Sequence, residues 1–161
     1  MAVKKVLVMG TSGHPEQLQA GDSIQVATTT AEVETLTNGG GSSVPIGTPV
    51  YVSAADTFLS ARANASGTSK VHGLVFDASI ANSASGQVCT DGVLTATTTQ
   101  WDAVTGQTGG LTAGADYFLD PATAGKLTTT PPSTVGQFNV YVGRAKSSTD
   151  MHLDIRFAIA L

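Results

Sequence analysis

The sequence predicts an all-β protein: a small β-sandwich or barrel with a duplicated strand unit, one short helix and an extended N-terminal arm. Three observations predict this fold. Short runs with a period of two are separated by Gly, Pro, Asn and Asp, one strand pattern occurs twice, and helical periodicity is scarce. Regularly spaced short strands of this kind are typical of sandwiches and barrels.

The repeated pattern occupies most of the chain after residue 44. Its first copy comprises residues 45–53, 70–79 and 87–90, and its second comprises residues 111–120, 139–148 and 152–155. Gly47 matches Gly114 and Gly73 matches Gly143, so the offset drifts only from 67 to 70 residues. A repeat of this kind indicates a duplicated strand unit that packs on itself or on its neighbours. The alternative is that any β protein with regular turns aligns loosely with itself.

The clearest strand is the last one, predicted to run without interruption from Asp150 to Leu161. Apolar residues from Met151 to Leu161 alternate there with polar or small residues, which sets one face against a core. Ile155 and Phe157 are therefore predicted to be core residues. Further strands are predicted at Lys4–Met9, Ser23–Thr28, Glu32–Thr37, Pro49–Ser53, Thr57–Ala61, Lys70–Phe76, Gly86–Thr90, Val93–Ala96, Ala115–Leu119, Lys126–Thr129 and Gln137–Ala145.

A single short helix is predicted from Thr98 to Val104. Thr97 and Gln100 have the spacing of a capping box, and Gly106 is suited to end the helix. A helix this short is not stable alone, so tertiary packing must hold it. We expect it to place Trp101 in the core.

The run Asn38–Ser43 contains three consecutive glycines and predicts a flexible joint. The sequence therefore predicts an arm or hairpin over residues 1–42 and a β-rich body over residues 43–161. Lys4, Lys5, Val6, Leu7, Val8 and Met9 form a charged and apolar strand suited to pair with a partner's sheet edge, and Ile159 and Leu161 are further candidate subunit contacts.

The composition limits the classes of function. Charged residues make up 12% of the chain, against roughly 25% in an average soluble domain. The net charge is −4 and the basic residues are scattered, which argues against nucleic-acid binding. No apolar run reaches the roughly 20 residues of a membrane span, and the run Val6–Met9 is too short for a signal peptide, so we expect no membrane partner and synthesis in the cytoplasm.

The chemical motifs are weak. Gly10 and Gly13 resemble a dinucleotide turn, but Glu16 stands at the third glycine position and alternating helices do not follow. Asp150, His152 and Asp154 would share one face of the last strand, yet Arg156 on that face would pair with Asp154 and repel a cation. With one cysteine, Cys89, and no nucleophile elbow, the sequence predicts neither an enzyme nor a cofactor or metal.

Four stretches carry a family resemblance: residues 90–106, 109–120 (Gly-Gly-Leu-Thr-Ala-Gly-Ala-Asp-Tyr-Phe-Leu-Asp), 124–132 and 142–145. Together they resemble a β module of tailed-bacteriophage virion proteins, which occurs in capsid decoration (cement) proteins and in head- or tail-fibre proteins. The opening residues 5–10 and 17–24 are similar to the start of such proteins, though less specifically. The resemblance covers residues 44–161 well and the first 30 weakly.

The resemblance implies a β-rich, trimeric structural protein of the virion surface without catalysis. Because 161 residues without heptads leave little room for both a shaft and a tip, the chain favours a decoration protein that bridges major capsid protein subunits. The alternative is a base or tip module of a head or tail fibre that binds glycans, for which exposed Trp101 or Tyr117 would be the candidate contacts.

Overall fold

The protein is a β structure with one short helix, seen here in a computed structural model that describes residues 7–9, 15–17 and 31–161. The predicted strand Ser23–Thr28, the glycines at 10 and 13, and residues Lys4, Lys5 and Val6 lie outside the described residues. The elements are β1 (Leu7–Met9), β2 (Pro15–Gln17), β3 (Ala31–Asn38), β4 (Val44–Pro45), β5 (Pro49–Ala54), β6 (Thr57–Ser60), β7 (Gly73–Val75), β8 (Ser79–Ile80), β9 (Ser85–Thr95), α1 (Thr98–Thr105), β10 (Asp116–Leu119), β11 (Leu127–Thr128), β12 (Phe138–Asn139), β13 (Tyr141–Ala145), β14 (Asp150–Leu153) and β15 (Ile159–Ala160).

Nine strands form one sheet in the order β11-β10-β13-β14-β9-β3-β6-β5-β7, and β7 also pairs with β9. That last pairing closes strands β9, β3, β6, β5 and β7 into a ring, which we call the first barrel. The pairing of β3 with β6 is parallel, and the other pairings in the ring are antiparallel. The predicted all-β fold with a barrel and a single helix is therefore confirmed.

The duplication is visible in the hydrogen bonds. The Gly47 N–H donates to the Val75 carbonyl at 2.8 Å, and the Val75 N–H donates back to Thr48 at 3.0 Å. In the second copy, the Gly114 N–H donates to the Ala145 carbonyl at 2.8 Å, and the Ala145 N–H donates back to Ala115 at 3.0 Å. The two glycines also share a left-handed φ, of 79° and 78°, at the third position of a tight turn. Val50 opposes Gly73 as Tyr117 opposes Gly143, so both matched glycine pairs occupy equivalent positions.

We define the first unit as β3, β5, β6, β7 and residues 85–90 of β9, and the second unit as residues 92–95 of β9 with β10, β11, β13 and β14. The long strand β9 thus serves both units, changing at Gly92, whose φ is 92°. The third matched segment needs a correction, because Cys89 opposes Leu74 as His152 opposes Arg144. Residues 87–90 therefore correspond to 150–153, two residues before the predicted match. Neither of these two segments contains a glycine that would fix the match, and a shift of two residues keeps the side chains on the same faces.

Helix α1 has the predicted caps. The Thr97 side chain accepts from the Gln100 N–H, the Gln100 side chain accepts from the Thr97 N–H, and Gly106 ends the helix in a left-handed conformation. The helix contacts β11. Trp101 is fully buried, as predicted, and its indole N–H donates to the Thr149 carbonyl at 2.8 Å.

Two apolar clusters form the core. The smaller one fills the first barrel and contains Leu36, Val44, Val50, Phe58, Val75, Ile80 and Val88. The larger one contains the inner face of the second unit, with Trp101 and Tyr117, and also Leu74 and Cys89 from the first unit. The first unit is therefore buried on both faces of β7, while the second is buried on one.

The region around Asn38 departs from the prediction of a flexible joint between two parts. Strand β3 lies inside the nine-stranded sheet between β9 and β6, so residues 31–38 belong to the body and not to the arm. The fully buried Asn38 amide donates to the carbonyls of Ser42 and Ile80, and its oxygen accepts from the Gly40 N–H. These bonds hold the glycine run in a defined loop against the body.

The last strand is also shorter than predicted. Strand β14 ends at Leu153, and residues 154–158 belong to no strand. Beyond them β15 pairs with β12. The alternation changes parity here: Ala158 packs against the larger cluster, while Phe157 is 97% exposed. The prediction that Phe157 is a core residue is therefore wrong, whereas Ile155 is partly buried against that cluster.

Candidate functional site

The surface features of interest lie on the outer face of the second unit and on the segment that follows it. Two open cavities adjoin there and share Arg156 in their linings. We call the first, of about 740 Å³, the polar groove; it is lined by Asp116, Tyr141, Arg144, Ala145, Lys146, His152, Asp154 and Arg156. We call the second, of about 580 Å³, the apolar groove; it is lined by Val52, Ser69, Lys70, Val71, His72, Ile155, Arg156, Phe157 and Ala158.

The polar groove is built on strands β10, β13 and β14. Antiparallel register places Arg144 opposite both Asp116 and His152, so their side chains share the outer face. The Arg144 guanidinium donates to the Asp116 carboxylate at 2.7 and 3.2 Å, and Tyr141 Oη lies 3.4 Å from the same carboxylate. The Tyr141 ring meets Phe118 edge-on, with centroids 5.8 Å apart. This network fixes the directions of the polar groups.

A second ion pair lies in the lining of the polar groove. The Arg156 guanidinium donates to the Asp154 carboxylate at 2.9 and 2.5 Å, which is the pairing predicted from the sequence. Hydrogen bonding from the adjacent arginine lowers the pKa of Asp116 and of Asp154 below the usual value of 3.8. Burial and the nearby Asp116 charge raise the pKa of Tyr141. Both carboxylates and both guanidinium groups therefore stay charged at neutral pH.

Two of the three residues considered as metal ligands, Asp150 and Asp154, are engaged in hydrogen bonds with other side chains. Asp150 accepts from Thr95 Oγ1 at 2.7 Å and from Ser147 Oγ at 2.9 Å, which lowers its pKa, while Asp154 is bound by Arg156. No group of three His, Cys, Asp or Glu side chains in the described part of the chain is arranged to hold a metal ion.

The apolar groove contains two of the large apolar side chains that are exposed in the described residues. Phe157 is 97% exposed and Val52 is 44% exposed, and Ile155 and Val71 also line the groove. Lys70 and Arg156 lie in its lining, and His72 Nε2 is 2.8 Å from a Glu34 carboxylate oxygen. The lining of the groove is thus mainly apolar and includes two cationic side chains, of which Arg156 is paired with Asp154.

The C-terminal strand continues this exposed surface. Ile159 is 64% exposed and Leu161 is 39% exposed, although the main chain is held by hydrogen bonds between Leu161 and residues Gly136 and Gln137. These two predicted contact residues are ordered, exposed and apolar. Of the predicted arm contacts, Leu7, Val8 and Met9 form β1, which pairs with β2 of the same chain.

Other candidate groups are buried. Tyr117 is fully buried, and its hydroxyl donates to the Gln107 side chain and accepts from the Thr112 N–H. Trp101 and Tyr117 therefore do not form the exposed aromatic surface expected for a glycan-binding module. Burial raises the pKa of the Cys89 thiol to about 11, so this group is a neutral thiol and a poor nucleophile.

The sequence analysis missed Arg144, Tyr141, Asp116, Lys70 and Val52 as surface residues of interest. Arg144 carried a usable signal, since it stands where the first copy has Leu74. Lys70 and Val52 gave no such signal, because the apolar groove is assembled from segments far apart in sequence.

The comparisons with known proteins add no family. No protein-family model matches the chain, and no curated protein matches it. In the ranges that the structure describes, no helix is long and apolar enough to cross a membrane.

Proposed function

We propose that this protein is a structural component of a bacteriophage virion that decorates the capsid surface and bridges neighbouring major capsid protein subunits. The observation that carries the proposal is the set of exposed apolar residues at the C-terminal end: Phe157, then Ile159 and Leu161, whose main chain is held by hydrogen bonds to residues 136–139. Exposed apolar residues on a rigid frame are suited to bury area against a partner without ordering a loop.

The frame suits a mechanical role. A closed barrel and an attached sheet share the strand β9, so load applied to one unit is carried to the other through main-chain hydrogen bonds. Many symmetric copies with modest contacts would add their stabilisation across a shell. The sequence resemblance to decoration proteins supports the same role.

The test is binding to empty shells of the phage that encodes the chain. Purified protein is mixed with shells and tails, separated by sedimentation, and the pelleted shells are imaged by cryo-electron microscopy. Density at regular positions on the shell is the expected result. Failure of the parent protein to sediment with shells would contradict the proposal. A truncated form that lacks residues 2–9 is expected to remain folded but to bind shells poorly.

We propose further that the protein assembles as a homotrimer. The exposed apolar residues Ile159 and Leu161 give self-association a surface to bury, and the low charge reduces electrostatic repulsion between copies. Multi-angle light scattering at micromolar concentration is expected to give three times the monomer mass of 16.3 kDa. A stable monomer would contradict this.

The second candidate function is a base or tip module of a head or tail fibre that binds glycans. The polar groove favours it, because ion-paired Asp116, Arg144, Asp154 and Arg156 present fixed donors and acceptors beside the Tyr141 ring. Sedimentation with tails instead of shells, together with loss of host-cell binding in Arg144→Ala, would favour this candidate over decoration.

A further inference from the structure

The basic residues of this acidic chain are concentrated around the two grooves. Residues 31–161 contain six Lys or Arg, and four of them line the grooves: Lys70, Arg144, Lys146 and Arg156. Of the ten acidic residues in the same range, only Asp116 and Asp154 line a groove, and each is paired with an arginine. The grooved face is therefore basic relative to the rest of the described surface.

On one side of the main chain beside the apolar groove, the N–H groups are already hydrogen-bonded. The N–H groups of Asp154 and Arg156 donate to Val142 and Tyr141 of β13 at 3.0 and 2.9 Å. The chain still alternates from Asp154 to Arg156, so the N–H group of Ile155 points away from β13. In the ranges that the structure describes, this N–H group donates to no protein acceptor. It is a main-chain donor that an added segment can use.

We propose that the apolar groove is a docking site for an extended segment of a partner protein that carries a large apolar side chain beside a carboxylate. The apolar side chain packs on Phe157 and Val52. The carboxylate lies against Lys70 and Arg156, and a carbonyl of the segment accepts from the Ile155 N–H. On the proposed function, which this inference then rests on, the partner is a capsid subunit, but the chemistry of the groove is testable by itself.

Phe157 is the expected anchor. Aromatic side chains dominate interface energies, and an almost fully exposed Phe beside Val52 has free area to bury. Lys70 adds attraction for an acidic segment and rejects a basic one. Binding should therefore depend on both the apolar and the acidic character of the partner.

The first experiment titrates the full-length, ¹⁵N-labelled protein with the peptide acetyl-Gly-Leu-Asp-Val-Asp-Gly-amide and follows amide chemical shifts by NMR. Saturable shifts centred on Lys70, His72, Ile155 and Phe157 are expected. A peptide with Lys in place of both Asp, and another with Ser in place of Leu and Val, are expected to bind at least about tenfold more weakly, the cost of losing one anchor contact.

Two variants map the contact. Phe157→Ala and Lys70→Glu are expected to weaken binding of the acidic peptide at least about fivefold, whereas Val135→Ala is the matched control. Val135 is 87% exposed and lies outside both grooves, so its variant should bind like the parent. An unchanged melting temperature in all three variants shows that each is folded.

Four results would overturn the inference, and the first three come from the titrations. They are equal binding of the basic peptide, absence of shifts at the groove, and groove shifts that appear with protein concentration alone, which would identify a second copy as the occupant. Peptide binding seen only after removal of residues 1–30 would also overturn it, because the chain's own segment would then fill the groove.

Shell binding separates this inference from the proposed function. If parent protein binds shells and Phe157→Ala binds them equally well, the docking site is refuted while decoration stands. If the peptide binds the groove but the parent protein does not bind shells, decoration is refuted while the docking site stands.

Discussion

The two strand units share a hydrogen-bond framework and differ in what covers them. Leu74 and Cys89 of the first unit correspond to Arg144 and His152 of the second. The first pair is fully buried in the larger core cluster, and the second pair lines the open polar groove. The same face of the strand pair is thus buried in the first copy and exposed in the second. The side chains match this difference, since they are apolar in the first copy and polar in the second.

The comparison separates positions that set the backbone from positions that set the surface. The matched residues are glycine in both copies at Gly47 and Gly114 and at Gly73 and Gly143, whereas the outer face is apolar at Leu74 and charged at Arg144. The two copies thus combine one backbone framework with different outer faces.

The largest expected effect is a test of the shared framework. A Cβ at Gly73 would lie 2.4 Å from the Cys89 carbonyl oxygen, and a Cβ at Gly143 would lie 2.4 Å from the His152 carbonyl oxygen. Since the obstacle is main chain in both, Gly73→Ala and Gly143→Ala should each lower the free energy of unfolding by about 3 kcal/mol or more. Gly67→Ala, with nothing within 4 Å, is the control. Tolerance of one substitution but not the other, measured by urea unfolding, would break the equivalence.

The next effect tests the difference between the outer faces. Leu74→Ala should cost about 2–5 kcal/mol, because it leaves a cavity in the core. Arg144→Ala, at the corresponding position, should cost less than about 1 kcal/mol, because it removes an exposed ion pair. Similar losses for both variants, measured by thermal and urea unfolding, would contradict the assigned burial.

A smaller effect separates the two turn glycines. Both Gly47 and Gly114 have a left-handed φ, so alanine at either should cost about 1–2 kcal/mol in strain. At Gly47 the new Cβ would also meet the Trp101 ring at 2.9 Å, while at Gly114 nothing lies within 4 Å. Gly47→Ala should therefore be the more destabilising, with altered Trp101 fluorescence. Equal losses and unchanged fluorescence would indicate that Trp101 does not pack on this turn.

The smallest expected effect is acid sensitivity, which should arise mainly in the second unit. Asp116, Asp150 and Asp154 all have a pKa held below 3.8, through bonds to Arg144, Thr95 and Arg156 respectively. Their stabilisation is complete above 3.8 and is lost as the pH falls through the folded pKa values. Because these groups are exposed, the change should be modest.

Asp150→Asn tests the acid effect. It should lower the urea midpoint at neutral pH and reduce its decline on acidification, whereas Asp56→Asn, in the hairpin of the first unit, is the control. An unchanged pH profile in Asp150→Asn would show that this carboxylate contributes no acid sensitivity.

The sequence sufficed for features set by local chemistry. The capping box of α1, the turn glycines and the fold class follow from residues close together in the chain. The course of residues 154–158 could not be predicted. In the sequence, apolar and polar residues continue to alternate through Phe157, whereas in the structure Phe157 is exposed and Ala158 packs on the core. The position of β3 within the body was not predicted either. Three consecutive glycines indicate a flexible joint, and the hydrogen bonds of buried Asn38 that hold this loop are not visible in the sequence.

The grooves were the least predictable part. The polar groove depends on the register among β10, β13 and β14, and the apolar groove on residues 69–72 and 155–158 lining one cavity. Neither relation is encoded in spacing along the chain. Only the replacement of an apolar residue by Arg144 within a repeated strand hinted at an open face.

The most direct test of the duplicated framework is the measurement of scalar couplings across hydrogen bonds in ¹⁵N,¹³C-labelled protein. The account predicts couplings between the Gly47 nitrogen and the Val75 carbonyl carbon, and between the Gly114 nitrogen and the Ala145 carbonyl carbon. The return couplings from Val75 to Thr48 and from Ala145 to Ala115 should accompany them. Observation of one set without the other, with both regions assigned, would contradict the claim that one strand unit occurs twice.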